Sequence, residues 1–253
     1  MILIIDNGNT SLKVGVCSSS NKLVCVETIK NTNKFNSLFK TIKAKYDITS
    51  CYICSVKPSL NKKIENTIFS IFRIKAKFIT NSEFVNELNL SKFNLNEIGT
   101  DILAYALFLK KAYKKCIGFC YGTAIFAIGV DNSKLHGCII FPIPFAGINE
   151  LIKKAELISP SKKIIKHNNF FEFGANTKEA LSAGANHYYI GIISSVVNYF
   201  NAKYGFKKVC FTGGNTPKLN TFKQTNKKIN FISVDNAIIR GISYLVFNKN
   251  KYD

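Results

Sequence analysis

The sequence predicts an α/β protein made of two similar lobes, and three observations support this prediction. Its 253 residues are enough for two lobes of about 110–130 residues each. Each half begins with three short strand-like runs and continues with strands that alternate with helical patterns. Similar turns interrupt the apolar runs IIDNGNTSLKVGV (4–16) and GFCYGTAIFAIGV (118–130). We therefore expect a duplicated fold, with domains at 1–114 and 115–253 and a ligand cleft between the lobes.

The first half is predicted to contain five strands and three helices, from its period-2 and period-3.6 apolar patterns. The strands are expected at 2–6, 11–17, 23–29, 50–56 and 76–79, and the helices at about 34–45, 59–72 and 99–114. Because the connections between the first three strands are short, we expect these strands to be antiparallel.

The second half repeats this order. Its first three strands are expected in GFCYG (118–122), TAIFAIGV (123–130) and HGCIIFPI (136–143), with VDNSKLHG (130–137) as a hairpin. Helices are expected at about 147–157 and 177–200, followed by the strand KVCFTGG (208–214) and a closing helix near 235–248.

Composition argues against a membrane or secreted protein. The longest apolar run, CIIFPIPFAGI (138–148), is shorter than the roughly 20 residues of a membrane span and contains two prolines. The chain enters a strand-like run at once, so we expect no export signal and a cytoplasmic location. Eight cysteines then indicate reduced thiols. The CYIC segment (51–54) has redox spacing, but its place in a strand favours buried structural cysteines.

The formal net charge of +20 raises the question of a nucleic-acid partner. The basic residues are almost all lysines, scattered among asparagine and isoleucine, and the only arginines are Arg73 and Arg240. A dedicated nucleic-acid surface is expected to cluster its charge and to use arginine. We interpret the excess as compositional drift and do not expect nucleic acid as the main partner, although it could help to attract an anionic substrate.

The segment DNGNTSLK (6–13) is the strongest candidate site. Glycine lets backbone N–H groups in such a turn approach phosphate oxygens closely. Lys13 can add a positive charge, and Asp6 can hold a hydrated Mg²⁺ ion. The alternative interpretation is an ordinary Asn–Gly hairpin turn.

Three further segments carry candidate residues, each with a structural alternative. Asp101, in GTDILAYALFLKKAY (99–113), is either a general base or a residue stabilising a helix start. FTGGNTPKL (211–219) can pack a nucleotide against bare backbone, with a helix opening near Pro217. In NTKEALSAG (176–184), Asn176 and Glu179 resemble a capping box, which leaves Thr177 unexplained. The three histidines are isolated, so no zinc-type site is expected.

Taken in order, six segments resemble the type III pantothenate kinase family. They are DNGNTSLK (6–13), CSVKP (54–58), GTD (99–101), YGTA (121–124), GANTKEALSAG (174–184) and FTGG (211–214). The resemblance implies the fold of the acetate kinase, sugar kinase, Hsp70 and actin superfamily. That fold has two ribonuclease-H-like lobes with mixed five-stranded sheets, usually in a homodimer. It also implies transfer of the ATP γ-phosphoryl group to pantothenate, which gives 4'-phosphopantothenate for coenzyme A biosynthesis.

The resemblance further implies a role for each matching residue. Asp101 would be the catalytic base. ATP and Mg²⁺ would be bound by Asp6, Asn7, Gly8, Asn9, Thr10, Ser11, Leu12, Lys13, Gly122, Thr123, Gly213 and Gly214. Pantothenate would be bound at Gly99, Thr100, Ile102 and Thr177.

The chain departs from the family pattern at ligand positions. Ile102 stands where the family has a substrate-binding arginine, and Cys120 stands where it has an aspartate supporting a monovalent cation, K⁺ or NH₄⁺. HGCIIFPI (136–143) matches the family's G-G-x-I-x-P-G only loosely. Three hypotheses remain open. The chain is a working kinase with a relaxed site, a weak or silent relative with a nucleotide-binding or regulatory role, or another phosphotransferase of the superfamily.

Overall fold

The computed structural model describes residues 1–30, 32–155, 158, 173–214, 216 and 228–249. The chain forms two compact units. The first comprises Met1–Lys115, Val130–His136 and Val234–Asp253, and the second comprises Cys116–Gly129 and Gly137–Ser233. The first unit thus includes Val130–His136 and the closing helix. The boundary predicted from the sequence, at residue 114, assigns both of these segments to the second domain.

The described part of the chain contains two five-stranded sheets and six α-helices. The strands are β1 Ile2–Asn7, β2 Leu12–Cys17, β3 Leu23–Ile29, β4 Ser50–Ser55, β5 Ala76–Phe78, β6 Lys115–Tyr121, β7 Ala124–Asp131, β8 Lys134–Pro142, β9 Lys208–Gly213 and β10 Asn230–Ser233. The helices are α1 Phe35–Lys45, α2 Asn61–Phe72, α3 Thr100–Tyr113, α4 Pro144–Lys154, α5 Thr177–Tyr204 and α6 Ala237–Lys249. In these ranges no helix is long and apolar enough to cross a membrane.

The first sheet has the strand order β3-β2-β1-β4-β5. The pairs β1–β2 and β2–β3 are antiparallel, whereas β1–β4 and β4–β5 are parallel. Because side chains alternate along a strand, Leu3 and Ile5 point to the face that packs on α1 and α2. Asp6 is on the opposite face, where α6 covers the sheet and a Cβ at Gly15 would lie 2.7 Å from the Ile239 side chain.

The second sheet has the order β10-β9-β6-β7-β8, with β9 parallel to both β6 and β10. One apolar cluster joins this sheet to the long helix α5, through residues such as Phe119, Phe211 and Ile193. The turn between β7 and β8 consists of Asn132 and Ser133, and Asn132 has φ 51°, a left-handed conformation that asparagine tolerates. This confirms the predicted hairpin.

The predicted fold class is confirmed, and most elements lie within two or three residues of their expected positions. The sequence analysis missed β10, whose four residues are too few to show a clear alternation. Helix α4 begins at Pro144, earlier than expected, because proline suits the first turn of a helix. Helix α5 continues to Tyr204 and ends at Gly205, whose φ of 68° provides a left-handed cap. The helix expected near Pro217 lies outside the described residues.

Candidate active site

Asp6 lies near the carboxyl end of β1, between Lys13 on β2 and Cys54 on β4 in the strand register. Only 7% of Asp6 is exposed. Burial, and then the nearby Asp101 carboxylate, raise the Asp6 pKa to about 7, while Lys13 lowers it. The structure therefore buries a carboxylate with a single compensating lysine, an arrangement whose negative charge calls for a cation.

Asp101 lies in the first turn of α3, and its Oδ1 accepts a hydrogen bond from the backbone N–H of Ile102 at 2.9 Å. Burial raises the Asp101 pKa, and the backbone N–H groups of Ile102 and of Asp101 itself lower it. The thiol of Cys54 is also buried, and its pKa is raised by burial and by both carboxylates. Asp6 and Asp101 therefore lie close enough to repel each other.

A divalent cation fits this pair chemically, because Mg²⁺ prefers carboxylate, phosphate and water oxygens. In the described residues no three His, Cys, Asp or Glu side chains converge to form a complete metal cage. Mg²⁺ commonly relies on substrate phosphates and water for most of its ligands. The Asp6 carboxylate suits that kind of site.

The loop before α3 holds Asp101 in place. Asn81 donates hydrogen bonds from Nδ2 to the carbonyl oxygens of Leu95 and Ile98, each at 2.7 Å, and its Oδ1 accepts one from Thr100 Oγ1 at 2.7 Å. A Cβ at Gly99 would overlap Asp101 Oδ1. The sequence analysis identified Gly99 and Thr100 but missed Asn81, because its partners are 14 to 19 residues away.

The turn after β1 is closed by a hydrogen bond from the Gly8 N–H to the Ser11 carbonyl oxygen, 3.1 Å long. This turn connects the antiparallel strands β1 and β2, so its backbone has the hairpin geometry of the alternative interpretation. Residues from another segment hold the same turn. Asn7, which is fully buried, donates from Nδ2 to Ser55 Oγ at 2.9 Å and to the Lys57 carbonyl oxygen at 3.0 Å.

Two further contacts extend this network. Asn61, at the start of α2, accepts hydrogen bonds at Oδ1 from Ser55 Oγ at 2.5 Å and from Asn7 Nδ2 at 3.3 Å. Lys57 Nζ donates to the carbonyl oxygen of Asn9 at 3.1 Å. The sequence analysis did not assign a role to Ser55, Lys57 or Asn61. The CSVKP match placed the first two in a family segment without indicating which atoms they contact.

The second unit carries the other candidate turn. Gly122 and Thr123 form the exposed turn between β6 and β7, closed by a hydrogen bond from the Gly122 N–H to the Ala124 carbonyl oxygen at 3.0 Å. In the register, Cys120 and Tyr121 pair with Thr212 and Gly213 on β9. Gly213 has φ 108°, and a Cβ there would overlap the Tyr121 backbone, so only glycine fits. Nothing lies near a Cβ built at Gly214.

The Cys120 position does not fit a monovalent cation. The residue is 6% exposed and offers a thiol, whereas K⁺ and NH₄⁺ are held by oxygen atoms. Ile102 is likewise buried, at 7% exposure, and carries no hydrogen-bonding group. Both departures from the family pattern are therefore apolar or weakly polar side chains within packed structure.

Thr177 is the first residue of α5 and is exposed. Asn176 caps the helix by accepting a hydrogen bond from the Glu179 N–H at 3.0 Å, as predicted. Glu179 differs from a standard capping box, because its Oε2 accepts from the Ala175 N–H at 3.0 Å. The cap accounts for Asn176 and Glu179, and Thr177 remains available to a ligand.

The CYIC segment is structural, as predicted. Cys51 and Cys54 lie on opposite faces of β4, and none of the eight cysteines, all of which are among the described residues, forms a disulfide. Burial raises the pKa of both thiols, the opposite of what a redox or nucleophilic cysteine requires.

Comparison with known proteins identifies the family of the chain. A family model described as type III pantothenate kinase matches residues 2–199. The chain belongs to the type III pantothenate kinase family. A type III pantothenate kinase of Mycoplasma mobile is 31% identical over 250 residues, which cover 96% of this chain and 97% of the relative. This confirms the resemblance drawn from the sequence.

Solved structures show the same fold. A conserved Campylobacter jejuni protein assigned to the Baf family of transcriptional activators has a TM-score of 0.60 and 19% identity, covering 98% of this chain and 99% of its own. The activator of 2-hydroxyisocaproyl-CoA dehydratase from Clostridium difficile, with bound ADPNP, has a TM-score of 0.56 and 13% identity, covering 99% and 96%. At these identities the likeness concerns the fold alone. It confirms the predicted actin-like architecture.

Proposed function

We propose that this member of the type III pantothenate kinase family transfers the ATP γ-phosphoryl group to the hydroxyl of pantothenate, giving 4'-phosphopantothenate. The observation that carries the proposal is the Asp6–Asp101 pair. Both carboxylates are retained, lie close together in one unit, and have raised pKa values because of burial. Buried carboxylates with raised pKa values are typical of functional sites, which favours an active kinase over a silent relative.

Asp101 acts as the base that takes the proton from the pantothenate hydroxyl. Its raised pKa makes it a stronger base than an exposed aspartate, and Ile102 N–H still stabilises the charged form. Asp6 would hold a Mg²⁺ ion, and the ion, when bound, would neutralise charge on the transferred phosphoryl group. The backbone N–H groups of the turn after β1, together with Lys13, orient the ATP phosphates.

The remaining predicted ligands take their family roles in the proposal. Gly122 and Thr123 bind ATP, and Gly213 and Gly214 receive its adenosine side, where bare backbone permits close packing. Gly99, Thr100 and Thr177 contact pantothenate. Because Ile102 replaces the arginine that would grip the substrate carboxylate, we expect a lost contact of about 1.5–3 kcal/mol and a correspondingly high KM for pantothenate.

We propose that catalysis proceeds without a monovalent cation, since the Cys120 thiol is a poor ligand for one. The decisive measurement is ATP- and pantothenate-dependent release of ADP, with and without K⁺, using Asp101→Asn as the control. We expect turnover that is insensitive to K⁺ in the natural chain and K⁺-stimulated turnover in Cys120→Asp. A folded protein without turnover under any cation would instead support a silent, nucleotide-binding or regulatory relative.

Two features of the chain support proposals about its quaternary state and its location. We propose a homodimer, because the edge strand β8 exposes Ile140, 66% accessible, which a second subunit could cover. Light scattering tests it, and a monomer would contradict it. We propose a cytoplasmic location, because none of the eight cysteines, all of them in described positions, forms a disulfide. A nucleic-acid partner is supported only by the net charge of +20, and we do not propose one. Salt-sensitive binding of DNA or RNA by the purified protein would be the evidence for such a partner.

A further inference from the structure

We propose that Lys57 is a ligand of the ATP polyphosphate, a second positive charge at the turn after β1 beside Lys13. The proposal rests on the proposed function, because it takes that turn to be the phosphate site. Lys57 lies in CSVKP (54–58), one of the segments that resemble the family, and no role was predicted for it from the sequence.

The first observation is the position of the Lys57 ammonium group. Its Nζ donates to the carbonyl oxygen of Asn9 at 3.1 Å, so the charge lies directly on the turn. An ammonium group has three donors, and one is used in this bond. The other two are available to an anion that approaches the backbone N–H groups of the same turn.

The second observation is that the Lys57 backbone is held at the turn from several directions. Its carbonyl oxygen accepts from Asn7 Nδ2 at 3.0 Å, and its N–H donates to Ser55 Oγ at 3.3 Å. Val56 N–H donates to the Asn7 carbonyl oxygen at 3.1 Å. Pro58 then begins a 3₁₀ helix and limits the backbone further. Because the residue is already fixed, ordering it on ligand binding costs little conformational entropy.

The third observation concerns charge. The ion pairs in the described part of the chain involve Lys110, Lys111, Lys115 and Lys153, and Lys57 is not among them. Its side chain is half-buried. An ammonium group that is bound to a carbonyl oxygen, and that has no carboxylate partner among these ion pairs, can attract an anion.

The test is calorimetric binding of Mg-ATP, Mg-ADP and AMP to the full chain at low salt, using Lys57→Gln, Lys57→Arg and the matched control Lys62→Gln. Lys62 is an exposed lysine near the start of α2, and its substitution removes the same charge. We expect Lys57→Gln to weaken Mg-ATP binding about 10- to 150-fold, since it removes one charged hydrogen bond. We expect Lys57→Arg to retain most of the affinity, and AMP binding and Lys62→Gln to change by less than about twofold.

Other results would overturn the proposal. If Lys57→Gln and Lys62→Gln weaken Mg-ATP binding equally, Lys57 contributes only to the general positive charge of the protein. If Lys57→Gln weakens AMP binding as much as Mg-ATP binding, Lys57 does not contact the polyphosphate. If the natural chain binds Mg-ATP with the expected Lys57 dependence but does not phosphorylate pantothenate, only the proposed function fails. If it does not bind Mg-ATP at all, both proposals fail.

Discussion

At the scale of single residues, the candidate site depends on short-range crowding around Asp101. Gly99 has ordinary backbone angles, φ −65° and ψ 135°, so an alanine there would not strain the chain. Its Cβ would nevertheless overlap Asp101 Oδ1. The side chain of Asp101 can rotate away at small cost in stability, but the carboxylate then leaves its position.

We therefore expect Gly99→Ala to lower kcat about 10- to 100-fold by displacing the base, as small misplacements in active sites do. The melting temperature should change by no more than about 2 °C, because the overlap is with a movable side chain and the backbone is unaffected. Steady-state kinetics and thermal unfolding measure the two effects. An unchanged kcat would show that the Asp101 position is not critical.

The second residue-scale prediction concerns pH. The Asp6 pKa rises from 3.8 to about 7 on folding, so the folded state holds this proton more tightly than the unfolded state does. Ionised Asp6 therefore destabilises the ligand-free protein, and this cost grows as pH rises from about 4 to about 7 and then stays constant. Asp6→Asn should remove a cost of at most about 4 kcal/mol above pH 7 and almost none at pH 4.

Thermal unfolding of the ligand-free protein between pH 4 and pH 8 measures this effect. Asp47→Asn is the matched control, since Asp47 is exposed and only its backbone oxygen is used, by the Met1 amino group. The stabilisation by Asp6→Asn should be accompanied by loss of turnover, because the same carboxylate holds Mg²⁺ in the proposed function. A benefit that does not depend on pH would contradict the assigned cause.

At the scale of elements, the contact between α3 and α6 positions the catalytic base. A Cβ at Gly241 on α6 would overlap the carbonyl oxygen of Ala104 on α3, so the two helix backbones lie in direct contact. A helix backbone cannot move aside as a side chain can. The glycine therefore sets the distance between the helix that carries Asp101 and the helix that closes the chain.

We expect Gly241→Ala to lower the free energy of unfolding by about 1–3 kcal/mol or more, because α3 and α6 must separate. The matched control is Gly191→Ala in α5, where nothing lies near the added methyl group. There the change should stabilise the protein by about 0.5–1 kcal/mol, since alanine favours a helix. Denaturant unfolding measures both changes in the free energy of unfolding, and we expect its dependence on denaturant concentration, the m value, to be unchanged. Equal effects of the two substitutions would contradict the close helix contact.

At the scale of the whole molecule, the charge excess is the dominant property. With 35 basic and 15 acidic residues, the folded chain repels itself. We expect the melting temperature of the ligand-free protein to rise when NaCl is increased from about 20 to about 300 mM, because salt screens that repulsion. A flat or falling melting temperature would mean that the lysines are already compensated by local partners.

Local pattern was sufficient to predict much of this protein. Alternation and short connections predicted the antiparallel β1–β2–β3 meander, and the glycine-containing turns identified both candidate phosphate segments. Cys51 and Cys54 were correctly interpreted as structural, because they lie in a strand-like run and not at the start of a helix. These features depend on neighbours a few residues apart, which the sequence lists directly.

The tertiary structure decided the rest, because it depends on which distant segments meet. The Asp6–Asp101 repulsion, the Asn81 bonds before α3 and the network of Asn7 with Lys57 and Asn61 join residues 14 to 95 positions apart. The assignment of α6 to the first unit likewise follows from its packing on α3, which no local signal encodes. Motif spacing could name the residues of the site, but only folding determines their burial, and burial sets the charge state on which their chemistry depends.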